Sequence, residues 1–184
     1  MLRVAAAGAL ILLVLSTGSP ARAQEPSPLQ PLVDAAAQRL QTADPVAANK
    51  FRTGGPIEDP KREQQVIDAT TAEADSRHLD PAYVRDVFRD QIDATVAVEY
   101  GLFSRWKLDP ATAPVTAPDL AASRTTIDAL NHTMVNEIAD QWPVLHAPAC
   151  RADLATAVDG VAAARNFDPL YRRALDHATR SYCR

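Results

Sequence analysis

Glycine and aromatic residues are scarce in this 184-residue chain, which has six glycines and 5% aromatic residues. Because strands favour aromatic and β-branched residues, this scarcity argues against an all-β sandwich. Alanine, the strongest helix former, occurs 35 times. Apolar residues make up 47% of the chain, which excludes a disordered or collagen-like protein. The composition predicts an all-α protein, a single-domain helical bundle.

The chain also lacks an apolar run long enough to span a membrane comfortably. Its longest apolar stretch is the 12 residues of 4–15, which follow Arg3 and precede the small residues Ala21 and Ala23. This pattern is typical of a secretory signal peptide cleaved after Ala23. It predicts a signal peptide at 1–23 and a mature domain at 24–184, which is secreted or periplasmic and has no membrane partner. An uncleaved N-terminal membrane anchor is the alternative.

The chain also has no excess of basic residues. Without Arg3 and Arg22, 17 basic residues stand against 23 acidic ones, a formal charge of −6. This balance argues against nucleic acid or an anionic membrane as a partner. Any site for an anionic ligand must therefore be a local cluster of arginine and lysine.

Only two cysteines are present, Cys150 and Cys183. In an exported protein such a pair predicts a disulfide, here closing a loop of 34 residues. Two free thiols or a metal-binding pair are the alternatives. A zinc site has no support, because there is no CxxC and the histidines lack HExxH spacing. These histidines are His78, His132, His146 and His177.

Asp-Pro pairs punctuate the chain and predict helix starts, because Asp is a good N-cap and Pro fits the first turn of a helix. The five pairs begin at Asp44, Asp59, Asp80, Asp109 and Asp168. Apolar residues at helical spacing agree with them. They predict about six helices, including segments at about 29–40, 81–106, 119–146, 154–164 and 170–183, with 107–118 as a connector.

Standard motifs for nucleophiles and phosphates are missing: there is no GxSxG, P-loop, GxGxxG or EF-hand loop. Polar residues at inward helical positions are the remaining candidates. Thr95 and Glu99 share a helical face with Gln91, beside an apolar stripe. The edge of a solvated face would explain the same pattern.

Basic residues supply further candidates. Arg39 and Lys50 are 11 residues apart, about three turns, so they share one side if the helix continues through or restarts at Asp44-Pro45. Arg124 lies on the inner side of its predicted helix, where an arginine usually pairs with a carboxylate.

Asp59, Arg62 and Glu63 cluster at one predicted helix start, since they stand at positions i, i+3 and i+4. An ordinary cap with a local ion pair is the alternative explanation.

Four segments of the chain together resemble the all-helical chorismate mutases, and more narrowly their exported gamma subclass. The resemblance rests on QRLQTADPVAANKF, GGPIEDPKREQQV, LDPAYVRDVFRDQIDATVAVEYGLFSRWK and DLAASRTTIDALNHTM, and extends to the terminal SYC. It implies the all-helical chorismate mutase fold. It also implies chorismate as the substrate, no cofactor or metal, and a homodimer with a complete site in each chain.

The resemblance implies that Arg39 binds a substrate carboxylate and that Lys50 contacts the ether oxygen and a carboxylate. Thr95 and Glu99 match a Ser/Thr and Gln/Glu pair one turn apart, with Glu99 donating to the ether oxygen. The catalytic residues would therefore be Lys50, Glu99 and Arg39.

The remaining substrate contacts follow in the same way. Asp59 and Arg62 match residues near the ring hydroxyl and the substrate backbone, and Glu63 matches a hydroxyl-binding glutamate. Arg124 matches an arginine that this subclass supplies from the same chain. A non-catalytic secreted protein that keeps the fold and binds a ligand or partner is the alternative function.

Position 66 departs from the pattern, since the subclass can carry Gln there and this chain has Val66. We expect either Val66 or the adjacent Gln65 to line that wall of the pocket.

Overall fold

A computed structural model describes residues 26–184, and the predicted signal peptide at 1–23 lies outside this range. Over the described range the chain forms α-helices and no strands, which confirms the all-α prediction. The helices are α1 (Gln30–Gln41), α2 (Ala43–Thr53), α3 (Pro60–Ser76), α4 (Pro81–Leu108), α5 (Leu120–Asp140), α6 (Trp142–Leu145), α7 (Cys150–Ala164) and α8 (Pro169–Thr179), with a short 3-10 helix at Pro110–Thr112. No helix between residues 26 and 184 is long and apolar enough to cross a membrane.

Aspartates begin most of the long helices, as the Asp-Pro pairs predict. The carboxylates of Asp59, Asp80 and Asp168 accept hydrogen bonds from backbone N–H groups in the first turns of α3, α4 and α8. Asp119 does the same for α5. Asp44 differs, because it lies inside α2, whose N-cap is Thr42.

One proline divides a segment that the apolar pattern joins, and a second lies where a new helix starts. The predicted helix at 119–146 is too long, since α5 ends at Asp140 and Pro143 lies in the separate short α6. Pro45 lies in the first turns of α2, and α1 ends before it. A proline inside a helix lacks the N–H for the i−4 bond and its ring meets that carbonyl. The helices therefore number eight in the described range, more than the expected six.

The C-terminal segment leaves its helix earlier than predicted. α8 ends at Thr179 rather than Cys183, and the chain then turns so that the Tyr182 side chain is fully buried. Cys183 thereby reaches Cys150, and the two form the predicted disulfide.

The long helix α4 lies at the centre of the bundle and contacts α1, α2, α3 and α8. Its apolar face, including Val84, Val87 and Phe88, is completely buried. α5 packs along α1, α2 and α3 from the other side. Helices α1, α2, α3, α4 and α5 together form the walls of a cleft.

Candidate active site

A cleft opens between α1, α2, α3, α4 and α5. Its empty volume is about 610 Å³, including the part that is open to solvent. All nine residues predicted to contact substrate line it: Arg39, Lys50, Asp59, Arg62, Glu63, Val66, Thr95, Glu99 and Arg124. Residues spread over 86 positions of the chain thus meet in one place.

Arg39 is the most deeply placed cation of the cleft, with only 4% of its surface exposed. Its Nε donates to Asn131 Oδ1 at 2.6 Å, and its Nη1 donates to Thr95 Oγ1 at 3.3 Å. Burial, and then the positive charge of Arg62, lower the pKa of Arg39 to about 10. The guanidinium is still charged at neutral pH, and no carboxylate between residues 26 and 184 forms an ion pair with it.

Lys50 and Glu99 form a buried ion pair at the centre of the cleft. Lys50 Nζ donates to Glu99 Oε2 at 2.8 Å and to the carbonyl oxygen of Ile57 at 2.5 Å. Burial raises the pKa of the Glu99 carboxyl, while Lys50 acts in the opposite direction. Because Glu99 and Gln91 are both buried, this row of α4 is not the edge of a solvated face.

The other two cations of the cleft are paired near its mouth. Arg124 Nη2 donates to Asp59 Oδ2 at 3.0 Å. Arg62 donates to Asp128, whose side chain is 55% exposed. Ion pairs at such exposed positions contribute little stability, so an incoming anion can compete for both arginines.

Asp59 is both a helix cap and a residue of the cleft. One oxygen accepts from the backbone N–H of Arg62 at 3.1 Å, and the other accepts from Arg124. Glu63, one turn further, accepts from Arg89 Nη1 at 3.3 Å. Asp59 therefore caps α3, and the residues of this cluster also line the cleft.

Val66 is buried and lines the cleft, whereas Gln65 is exposed and lines only an adjacent cavity between α3 and α5, which shares Arg62 and Val66 with the cleft. The adjacent glutamine does not replace the missing one, because consecutive helical residues point about 100° apart. This wall of the cleft is apolar. The remaining apolar wall is formed by Val46, Ile57, Ile92, Val96, Leu120 and Ile127.

Sequence reasoning missed two polar residues of α5 that contact the predicted site. Asp128 binds Arg62 and Asn131 binds Arg39. Their spacing was a usable signal, because positions four and seven after Arg124 fall on the same helical face.

A cluster of possible metal ligands lies on another side of α4. It consists of Asp90, Asp93 and His177, whose potential ligand atoms lie within 4.8 Å of one another. The two oxygens of Asp90 already accept from Arg180 and from the hydroxyl of Ser181. Its charge is therefore compensated by the C-terminal segment.

The cleft combines four cationic side chains with apolar walls inside an acidic protein. A buried, unpaired guanidinium needs an anion, and two further arginines at the mouth can add bidentate contacts to carboxylates. The site fits a small dianion with an apolar body. The Lys50–Glu99 pair can place hydrogen-bond donors against a developing negative charge.

Comparisons with known proteins agree with this chemistry. Residues 30–100 match the sequence model of the family described as chorismate mutase type II. The chain is 67% identical to a secreted chorismate mutase of Mycolicibacterium smegmatis, over 91% of this chain and 93% of that protein. It is 51% identical to a secreted chorismate mutase of Mycobacterium tuberculosis, over 96% of this chain and 89% of that protein. Among solved structures, a chorismate mutase from Burkholderia phymatum superposes with a TM-score of 0.80 at 34% identity, covering 85% of this chain and 96% of that one.

Proposed function

The chain belongs to the family of secreted chorismate mutases, and on this premise we propose that its cleft binds chorismate and rearranges it to prephenate. The protein is an exported isomerase. The reaction is a unimolecular [3,3] rearrangement, in which one C–O bond breaks as one C–C bond forms. The chemistry therefore calls for orientation and charge stabilisation rather than for a nucleophile.

The observation that best supports this function of the cleft is the buried, positively charged side chain of Arg39. A buried guanidinium without an acidic partner is costly unless an anion is bound. Chorismate is a dianion, and one of its carboxylates would complete the pairing of Arg39. Arg62 and Arg124 would exchange their carboxylate partners for the substrate and hold the reactive diaxial conformer.

Lys50 and Glu99 would act on the ether oxygen, which gains negative charge as the C–O bond breaks. Lys50 donates directly, and Glu99 donates when it is protonated. Thr95 orients Arg39 through its hydroxyl, while Asp59 or Glu63 accepts from the ring hydroxyl. Val66 and the other apolar residues exclude water from the body of the substrate.

The test is the loss of chorismate absorbance with purified protein comprising residues 24–184, together with detection of prephenate. We expect turnover that a metal chelator leaves unchanged. Lys50→Ala should lower kcat by roughly 10²–10³-fold, as expected for loss of one preorganised donor.

The matched control is Arg52→Ala, because Arg52 is an exposed cation of the same helix. It should keep the wild-type rate. Chorismate binding without turnover in the wild type would favour a non-catalytic binding protein instead.

For the assembly, we propose a homodimer with one complete site in each chain. The four cations of the cleft come from α1, α2, α3 and α5 of a single chain, which supports a site that needs no partner residue. Light scattering coupled to size exclusion gives the mass directly. Full activity at concentrations where the protein is monomeric would support the complete site and contradict any need for a partner.

A further inference from the structure

Asn131 is the most buried polar residue of α5, with 6% of its surface exposed, and it lines the cavity next to the cleft. It follows Arg124 by seven residues, so both project from the same face of α5. Its Oδ1 accepts the Nε hydrogen of Arg39 at 2.6 Å. This hydrogen bond joins two buried side chains that are 92 positions apart in the sequence. A buried polar contact of this kind requires a physical explanation.

The hydrogen bond from Arg39 Nε to Asn131 orients the guanidinium of Arg39. Nη1 is held by Thr95 Oγ1, and the Thr95 hydroxyl itself donates to the carbonyl oxygen of Gln91 at 2.8 Å. Because the hydroxyl hydrogen is used in this way, a lone pair faces Arg39. Nη2 has no hydrogen-bond partner within residues 26–184, so one arm of the fork is left for a ligand.

Both acceptors of Arg39 are electrically neutral, unlike the partners of the other cleft cations. Lys50, Arg62 and Arg124 each bind a carboxylate. An aspartate could occupy the place of Asn131 with the same shape and would accept the same bond. It would also neutralise the charge that attracts the substrate.

We propose that Asn131 is a positioning residue for Arg39, and that it fixes the guanidinium through a neutral acceptor so that its full charge is kept for a substrate carboxylate. This inference rests on the proposed function, since it takes a dianion as the ligand. Asn131 touches Arg39 and acts through it.

The test compares two variants that separate shape from charge. Asn131→Asp keeps the acceptor and adds a negative charge, whereas Asn131→Ala removes the acceptor and keeps the cleft charge. We expect the KM for chorismate to rise about 10- to 100-fold in Asn131→Asp, the range for loss of one charge-assisted hydrogen bond. Asn131→Ala should raise KM less, because the Arg39 guanidinium of this variant is misoriented but still lacks a carboxylate partner.

A merely structural acceptor would give the opposite order, with the isosteric Asp variant close to wild type and the Ala variant worse. The matched control is Thr133→Asp, which adds the same charge to α5 at an exposed position and should leave KM unchanged. Thermal unfolding of each variant identifies any loss of fold.

The inhibition constant of the product prephenate gives a second readout, measured by competition or directly as binding. It should rise by the same factor in Asn131→Asp. An Asn131→Asp variant with wild-type KM and prephenate affinity would overturn the inference while leaving the proposed function intact. A wild type that binds prephenate without converting chorismate would overturn the function, and the binding series would still decide the role of Asn131.

Discussion

At the level of single residues, the burial of Glu99 favours the protonated form of its carboxyl, which can donate a hydrogen bond. Its Oε2 accepts from Lys50, so Oε1 is the oxygen that can carry a proton towards the substrate. Burial raises the pKa of this carboxyl, and a bound dianion would raise it further. The neutral form can donate a hydrogen bond, whereas the ionised form would repel the developing negative charge.

The pH dependence of kcat follows from this direction of the pKa shift. The active form is protonated, so activity should be present at lower pH and decline as the pH rises through the pKa of Glu99 in the substrate complex. Glu99→Gln donates without a titrating proton, so it should keep substantial activity and show a flatter decline. Glu99→Ala should lose activity at every pH.

Steady-state rates across the pH range, measured for all three proteins, provide the test. If the Gln variant declines with alkaline pH as the wild type does, Glu99 is not the titrating group.

Arg124 tests whether the site is complete within one chain. Its side chain is 44% exposed and, within residues 26–184, is paired only with Asp59, so its removal should not unfold the protein. We expect Arg124→Ala to lower kcat/KM about 10- to 100-fold through lost carboxylate contacts. Arg151→Ala, which removes an exposed arginine of α7, should have the wild-type value. An unchanged kcat/KM in Arg124→Ala would require the clamping arginine to come from elsewhere.

At the scale of the helices, Asp168 joins the start of α8 to the last turn of α4. Its Oδ1 accepts from the backbone N–H groups of Leu170 and Tyr171, and its Oδ2 pairs with Arg105 of α4 at 3.0 Å. The backbone bond from Tyr171, more than the arginine, holds the pKa of Asp168 below its usual range. The ionised carboxylate is therefore the form that stabilises the fold.

We expect Asp168→Ala to lower the free energy of unfolding by about 1–2 kcal/mol, the usual cost of losing an N-cap. Because the folded pKa is lowered, this contribution is fully present above the unfolded pKa and is lost as the pH falls through the folded pKa. Denaturant unfolding at neutral and strongly acidic pH measures it. Asp176→Ala, at an exposed position inside α8, should change stability little, and an equal loss there would contradict the cap assignment.

Across the whole molecule, the C-terminal segment is fastened to the bundle at several points. The disulfide joins Cys183 to Cys150, and the Tyr83 hydroxyl donates to the carbonyl oxygen of Tyr182 at 2.7 Å. The backbone N–H of Arg184 donates to the carbonyl oxygen of Leu145 at 3.3 Å. The last residues thus pack against the first turns of α4.

Replacing both cysteines by serine should lower the free energy of unfolding by roughly 3–4 kcal/mol, because the reduced chain regains the entropy of a 34-residue loop. Guanidinium unfolding measures the change, and reduction of the wild type should give the same midpoint shift. Intact mass after alkylation without reduction should show no modified cysteine. Two alkylated cysteines would contradict the disulfide in the mature protein.

Local chemistry along the chain was enough for much of this protein. Asp-Pro pairs mark helix starts because capping acts within one turn, and alanine-rich apolar stripes mark helices because the 3.6-residue period is local. The nine cleft residues were identified through the resemblance to the exported chorismate mutases, because their order and spacing follow short motifs of that family.

Packing between helices settled the rest. The choice between Val66 and Gln65 depends on which face of α3 meets the cleft. The neutral partner of Arg39 comes from Asn131, 92 positions away. Such contacts arise only when α1 and α5 lie side by side, because a single helix cannot specify what its inward face will meet.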